Sequence, residues 1–249
     1  MINKKIHYCW FGRNPLPKLA VKCISSWKKY LPDYEIIEWN EDNFDVNMIP
    51  YTKEAYQAKK YAFVSDYARF WILYNYGGLY FDTDVEIIKP IDDIISKGAF
   101  MGCEMEANAN IKMVPVAPGL GLGCNSGLEL YKQLLNIYDT LHFINKDGSL
   151  NQKTIVDYTT ELLVKFGLKN INEIQHIANI WIYPKEYFCP IDYKTNKCII
   201  TEKTRSIHHY AASWYSVGDK IKYKIARIIG SKNMHILGDF KRLIYNLFK

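Results

Sequence analysis

The sequence is notable first for what it lacks. Its six cysteines (Cys9, Cys23, Cys103, Cys124, Cys189, Cys198) include no C-x-x-C pair. A 249-residue chain is also long enough to fold without covalent staples, so a disulfide scaffold is excluded and the thiols are expected to be buried in a reducing cytoplasm. No apolar run approaches the roughly 20 residues that a membrane-crossing helix requires. The opening MINKKIHYCWFG has only a very short apolar stretch before Gly12, Asn14 and Pro15, so neither a standard secretion signal nor a span is expected. There are no internal repeats and no low-complexity linker. The first 213 residues also lack a charge excess. Eight basic residues against two acidic ones fall between Trp214 and Lys249, and removing these from the totals of 32 and 26 leaves 24 of each sign. That balance argues against a nucleic-acid groove through the main body.

What is present is a chain 49% apolar, sufficient for one substantial core. KKIHYCWFG (4–12) has the pattern of a short buried strand closed by glycine. Leu19, Cys23 and Trp27 recur at helical spacing in a helix from Pro17 to Tyr30, stopped by Pro32, and YEIIEWN (34–40) is a second strand. A long, mostly buried helix is expected up to Tyr76, with Gly77-Gly78 as its stop. Extended segments follow at 98–104 and 112–123, helices near 126–142 and 151–166, and late strands or loops at 179–184 and 205–214. Strands alternating with helices predict an α/β fold on a mainly parallel sheet, with ligands at the carboxyl ends of its strands. The expected division is a catalytic-size domain over 1–215 and a basic tail over 216–249.

YGGLYFDTDVEIIKP (76–90) places Asp82 and Asp84 one residue apart in a strand-like run. On a strand the two would share a face, and neighbouring carboxylates stay ionised together only beside a cation. Mg²⁺ or Mn²⁺, taking oxygen ligands from protein and from a substrate diphosphate, suits such a pair. A bare D-x-D is otherwise often just two solvated aspartates.

The wider stretch SDYARFWILYNYGGLYFDTDVEIIKP (65–90) resembles the D-x-D sugar-transferase signature of the family-32 glycosyltransferases, which are similar to the catalytic domains of the clostridial glucosylating toxins. The matching residues are Ser65, Asp66, Arg69, Gly77, Gly78, Tyr80, Asp82, Asp84 and Pro90. IHYCWFG resembles the family's first strand and IHHYAASW its late His/Ser-Trp segment. The resemblance implies a GT-A type nucleotide-sugar-binding fold, a nucleotide-sugar donor (usually UDP-linked), Mn²⁺ or Mg²⁺, and retention of anomeric configuration. It also implies that Asp84 binds metal, that Asp82 contacts the donor's sugar or ribose, and that Asp66 and Arg69 hold the donor sugar. His208, rather than the adjacent His209, becomes the further metal or phosphate ligand, and Ser213 and Trp214 close over the diphosphate. Trp10, with Tyr8 beside it on the first strand, is a candidate for the nucleotide, and Asn125 for donor or acceptor.

Two other functions fit a D-x-D: a phosphohydrolase, which expects its pair on the first strand, and a sugar- or calcium-binding module without catalysis. The tail, residues 219–249, mixes Ile221, Ile225, Ile228, Leu237, Phe240 and Leu247 with nearly all the excess positive charge. A basic amphipathic segment of this kind suits an anionic bilayer surface. The expected partners are therefore a nucleotide-sugar, a glycan or lipid-linked acceptor of surface polysaccharide synthesis, and an anionic membrane, but no nucleic acid.

Overall fold

The computed structural model describes residues 2–192 and 197–211. Ser213, Trp214 and the basic tail lie outside the described residues. One compact unit comprises Met1–Ile191 and Cys198–Tyr210. In chain order its elements are β1 (Lys5–Cys9), α1 (Lys18–Tyr30), β2 (Glu35–Trp39), α2 (Pro50–Gln57), α3 (Tyr61–Tyr76), β3 (Gly78–Tyr80), β4 (Val85–Ile87), α4 (Asp92–Ile95) and β5 (Phe100–Gly102). They continue with β6 (Leu122–Cys124), α5 (Glu129–Asp139), α6 (Ile155–Lys165), β7 (Gln175–Ile177), β8 (Ile180–Tyr183) and β9 (Ser206–His208).

The α/β class stands. Seven strands form one sheet in the order β2-β1-β3-β6-β5-β8-β7. β1 pairs in parallel with β2 and β3, and β5 with β8, while β6 runs antiparallel to both β3 and β5, and β7 to β8. Side chains alternate across the pleat into two cores: Leu79 and Phe100 point into one, their neighbours Tyr80 and Met101 into the other. Helices α2, α3, α5 and α6 cover the second face, and α1 with β4 the first. α2, for which the sequence pattern assigned no element, begins with Pro50 at its first turn.

α3 is buried on most of its circumference, so Asp66 and Arg69 are carried inside the molecule. It ends at Gly77 (φ 63°), and Gly78 (φ 101°) opens β3. A Cβ on Gly78 would lie 2.7 Å from the Lys5 carbonyl oxygen, so only glycine lets β1 and β3 approach this closely. His7 holds the junction. Its Nδ1 accepts from Trp39 Nε1 at 3.0 Å, and its Nε2 lies 3.0 Å from the Gly77 carbonyl. Burial lowers its pKa to about 4, so the ring is neutral and Nε2–H is the donor.

The aspartate pair is not on a strand, contrary to expectation. β3 stops at Tyr80, and the Val85 amide donates to the Asp82 carbonyl at 3.0 Å, closing a turn over Asp82–Val85. The chain there leaves the seven-stranded sheet and enters a two-stranded one in which β4 pairs antiparallel with β9. Of the cysteines, five are buried as expected, but Cys198 is exposed.

Candidate metal and donor site

The turn after β3 and the end of β9 meet at one point. The register of the small sheet sets Val85 opposite His208, which places the histidine beside Asp84. His208 Nε2 lies 3.1 Å from Asp84 Oδ1. Asp82, Asp84 and His208 can each offer one ligand atom such that all lie within 4.8 Å of one another. Successive residues of extended chain diverge, and His209, just past β9, instead meets Glu86 Oε2 at 2.8 Å, an oxygen that Lys22 Nζ also reaches at 2.8 Å.

Arg69 binds the aspartates of helix and turn together. Its Nη2 is 2.9 Å from Asp66 Oδ1 and 3.4 Å from Asp82 Oδ1, its Nη1 donates to Asp82 Oδ2 at 3.4 Å, and its Nε donates to the Ser65 carbonyl at 3.1 Å. The arginine side chain is only 4% exposed, so this is not a surface ion pair. Tyr80 donates its hydroxyl to Asp82 Oδ1 at 3.1 Å, and its ring lies 5.1 Å below the Arg69 guanidinium. Gly119, in the single helical turn Pro118–Leu120, packs so closely that a Cβ there would fall onto Asp82 Oδ2. Its carbonyl also accepts from the Asp82 amide at 3.3 Å.

Burial raises the Asp82 carboxyl above the usual range, opposed by Arg69 and reinforced by Asp84. Asp66 is pushed to about 6 by burial, against Arg69 and a backbone hydrogen bond from Ile155 at the start of α6. For His208, burial works against the charged form, but the acidic groups around it, Asp84 foremost with Asp82 and Glu104, together raise the pKa above the ordinary value. Glu104, just past β5, is likewise raised by burial.

These residues fit a divalent cation. Two mutually repelling carboxylates converge with an imidazole whose Nδ1 is buried without a hydrogen-bond partner among the described residues. Two oxygens and one nitrogen form a donor set that suits Mn²⁺ at least as well as Mg²⁺. Asp82, Asp84 and His208 would hold the ion.

The other expected residues divide. Tyr8 is buried and gives its hydroxyl to Glu38 Oε2 at 2.6 Å. Trp10 follows β1 half-buried, its Nε1 bonded to the Asn14 carbonyl at 2.6 Å. Asn125 is not brought to the cluster. β6 runs antiparallel to β3 with Cys124 opposite Gly78, so Asn125 sits at the amino end of β3, about 15 Å of strand from Asp82. The pattern missed Gly119 and Glu104. The stretch 112–123 reads as extended in sequence, and nothing in its glycines announced a contact with Asp82.

Residues 17–101 match the family model described as "Glycosyltransferase sugar-binding region containing DXD motif". This stretch is thus similar to the DXD-type glycosyltransferase sugar-binding regions. It carries Asp66, Arg69, Asp82 and Asp84, while Glu104, Gly119 and His208 lie beyond it. Inositol phosphoceramide mannosyltransferase 1 of Schizosaccharomyces pombe is 30% identical over 111 residues, 40% of this chain and 33% of that protein. Inositol phosphoceramide mannosyltransferase 3 of the same yeast is 31% identical over 104 residues, 40% of this chain and 29% of that protein. The matches thus span about a third of the length of these relatives. Among solved structures, the PaToxG glycosyltransferase overlays with a TM-score of 0.49 at 18% identity, covering 66% of this chain and 69% of that one. A likeness of that size leaves the assignment to the sequence match.

Proposed function

We propose that this protein transfers a sugar from a nucleotide-sugar donor, UDP-linked as the family resemblance implies, to a hydroxyl of a glycan or lipid-linked acceptor, with retention at the anomeric carbon. The observation that carries this is the convergence of Asp82, Asp84 and His208 beside the buried Arg69–Asp66 pair.

In the reaction the anomeric C–O bond breaks and the diphosphate leaves with its electron pair. The acceptor oxygen then bonds to the anomeric carbon on the same face, and its proton passes to a diphosphate oxygen. A bound divalent cation supplies Lewis-acid neutralisation of the diphosphate. The chain's own part is positional. Arg69 and Tyr80 fix Asp82 from two sides, the β4–β9 pairing brings His208 to Asp84, and Arg69 leaves Asp66 oriented at the amino end of α6. Groups fixed before reaction stabilise developing charge without reorganisation, which is what charge separation here requires.

A phosphohydrolase is disfavoured because the pair follows the third strand and Asp82 is already engaged by Arg69 and Tyr80. The names of the yeast relatives, which act on inositol phosphoceramide, support a lipid-linked acceptor. So does the basic amphipathic tail, which suits a peripheral site on the cytoplasmic membrane face where surface polysaccharide is built. The test is a panel of UDP- and GDP-sugars incubated with Mn²⁺, Mg²⁺ or EDTA. Metal-dependent release of sugar from at least one donor is expected, and turnover unaffected by EDTA would count against the proposal.

A further inference from the structure

Glu104 is an acid with no assigned task. It stands just beyond β5, where Cys103 bridges Val116 and the Glu104 amide donates to the Pro115 carbonyl at 3.0 Å, so its backbone is fixed. The same segment is tied to α6 by the Val116 amide, which donates to Thr160 Oγ1 at 3.0 Å. Because β6 runs antiparallel to both β3 and β5, Glu104 leaves the sheet at the same carboxyl edge as Asp82, its half-buried side chain within electrostatic range of His208 and of Asp157 in the first turn of α6. Asp157 is occupied as a helix cap, accepting from Thr154 N and Oγ1 at 3.0 and 2.8 Å. The Glu104 carboxylate, by contrast, takes no hydrogen bond among the described residues, and no lysine or arginine there pairs with it. It is also outside the set of groups close enough to share a metal ion with Asp82 and Asp84.

A half-buried carboxylate that no described donor meets keeps its acceptor oxygens open to water or to a ligand at the site edge. The donors plentiful at this site are sugar hydroxyls. We propose that Glu104 is a substrate-contacting residue whose carboxylate accepts a hydrogen bond from a hydroxyl of the reacting sugars beside the metal centre. This rests on the sugar-transfer function above. The hydroxyl can belong to donor or acceptor, and the two sources are separable by experiment.

The test compares wild type with Glu104→Gln and Glu104→Asp in three assays: Mn²⁺-dependent UDP binding, hydrolysis of the active nucleotide-sugar in water, and transfer to a panel of methyl glycosides. Glu104→Gln is expected to bind UDP and Mn²⁺ within about twofold of wild type and to melt no lower, since an amide is cheaper to bury than a charge. Its hydrolysis and transfer should both fall roughly tenfold to a hundredfold if the hydroxyl is the donor's, and transfer alone if it is the acceptor's, the loss of one hydrogen bond to a charged group. Glu104→Asp, which keeps the charge but shortens its reach, should recover part of the loss. Hydrolysis and transfer both at wild-type level would overturn the assignment. So would loss of Mn²⁺ binding in Glu104→Gln, which would make Glu104 a ligand, or a lower melting temperature with all activities falling together, which would make it structural. A wild-type protein that turns over no nucleotide-sugar would contradict the sugar-transfer function itself, and this assignment with it.

Discussion

Asp82 shows how much a single side chain can be constrained. It receives the Arg69 fork on both oxygens, the Tyr80 hydroxyl on one of them, and the backbone of Gly119 against its outer edge. Breaking such a buried network by removing one partner costs about 3–5 kcal/mol, because the charge left behind is unpaired. Gly119 offers a milder probe. Its φ is one that any residue adopts, yet an alanine methyl there would land on Asp82 Oδ2 and lie 3.3 Å from Arg69 Nη1. Gly119→Ala should therefore remain folded while turnover drops on the order of 10²-fold, the penalty for a misplacement of about 1 Å at a reacting site. Circular dichroism with steady-state rates checks this, and a folded variant of normal activity would free Asp82 from the role given to it. At this scale the sequence was readable where chemistry and spacing coincide. Asp66, Arg69, Asp82, Asp84 and His208 assemble as the motif suggests. Gly119 and Glu104 were not readable, because Gly119 meets Asp82 across 37 residues of chain and Glu104 comes into range of His208 across more than a hundred, where no local pattern reports them.

The elements were legible wherever periodicity is strong. The helix expected from Pro17 to Tyr30 spans Lys18–Tyr30, and the strand expected at 34–40 spans Glu35–Trp39. The segment 80–87 was misjudged for a physical reason. Its alternation continues through the turn, but β4 takes its pairing from β9, some 120 residues later, so the sheet change is invisible to a local pattern. The junction of α3 and β3 yields a prediction about pH. His7 has a folded pKa of about 4 against 6.5 for the free side chain, so between these values the unfolded chain binds the extra proton. Its contribution is complete above pH 6.5 and falls as pH drops towards 4, a loss of about 3 kcal/mol from a shift of this size. Urea midpoints at pH 7 and 4.5 should show a steeper loss for wild type than for His7→Gln. Identical slopes would mean that the ring accepts its proton without cost.

At the level of the whole molecule, the α/β class was legible from the alternation of elements, and the mixed pairing of the sheet was not. β6 enters between β3 and β5 after a long excursion whose direction depends on packing rather than local pattern. The charge asymmetry is a property of the entire chain, with 24 charges of each sign before the tail and a net excess of six within it. A basic segment of this composition should gain about 1 kcal/mol per lysine or arginine near an anionic bilayer. The protein is therefore expected to sediment with phosphatidylserine-rich vesicles but not with neutral ones, and to be released by salt. Replacing Lys220, Lys222 and Lys224 by glutamine should weaken that binding at least tenfold, and unchanged sedimentation would place the membrane contact elsewhere.

The account depends most on one cluster, and manganese itself can report on it. Electron paramagnetic resonance follows free Mn²⁺ directly, so titrations of the wild-type protein, Asp84→Asn and His208→Ala in the presence of UDP need no knowledge of the acceptor or donor sugar. The wild type should bind one Mn²⁺ per chain. Both variants should remain folded, with affinity reduced at least tenfold, since even partners of metal ligands typically contribute about 10- to 100-fold. Equal Mn²⁺ binding by all three proteins, or none by the wild type with UDP present, would contradict the assignment of Asp82, Asp84 and His208 as the metal centre of a sugar transferase.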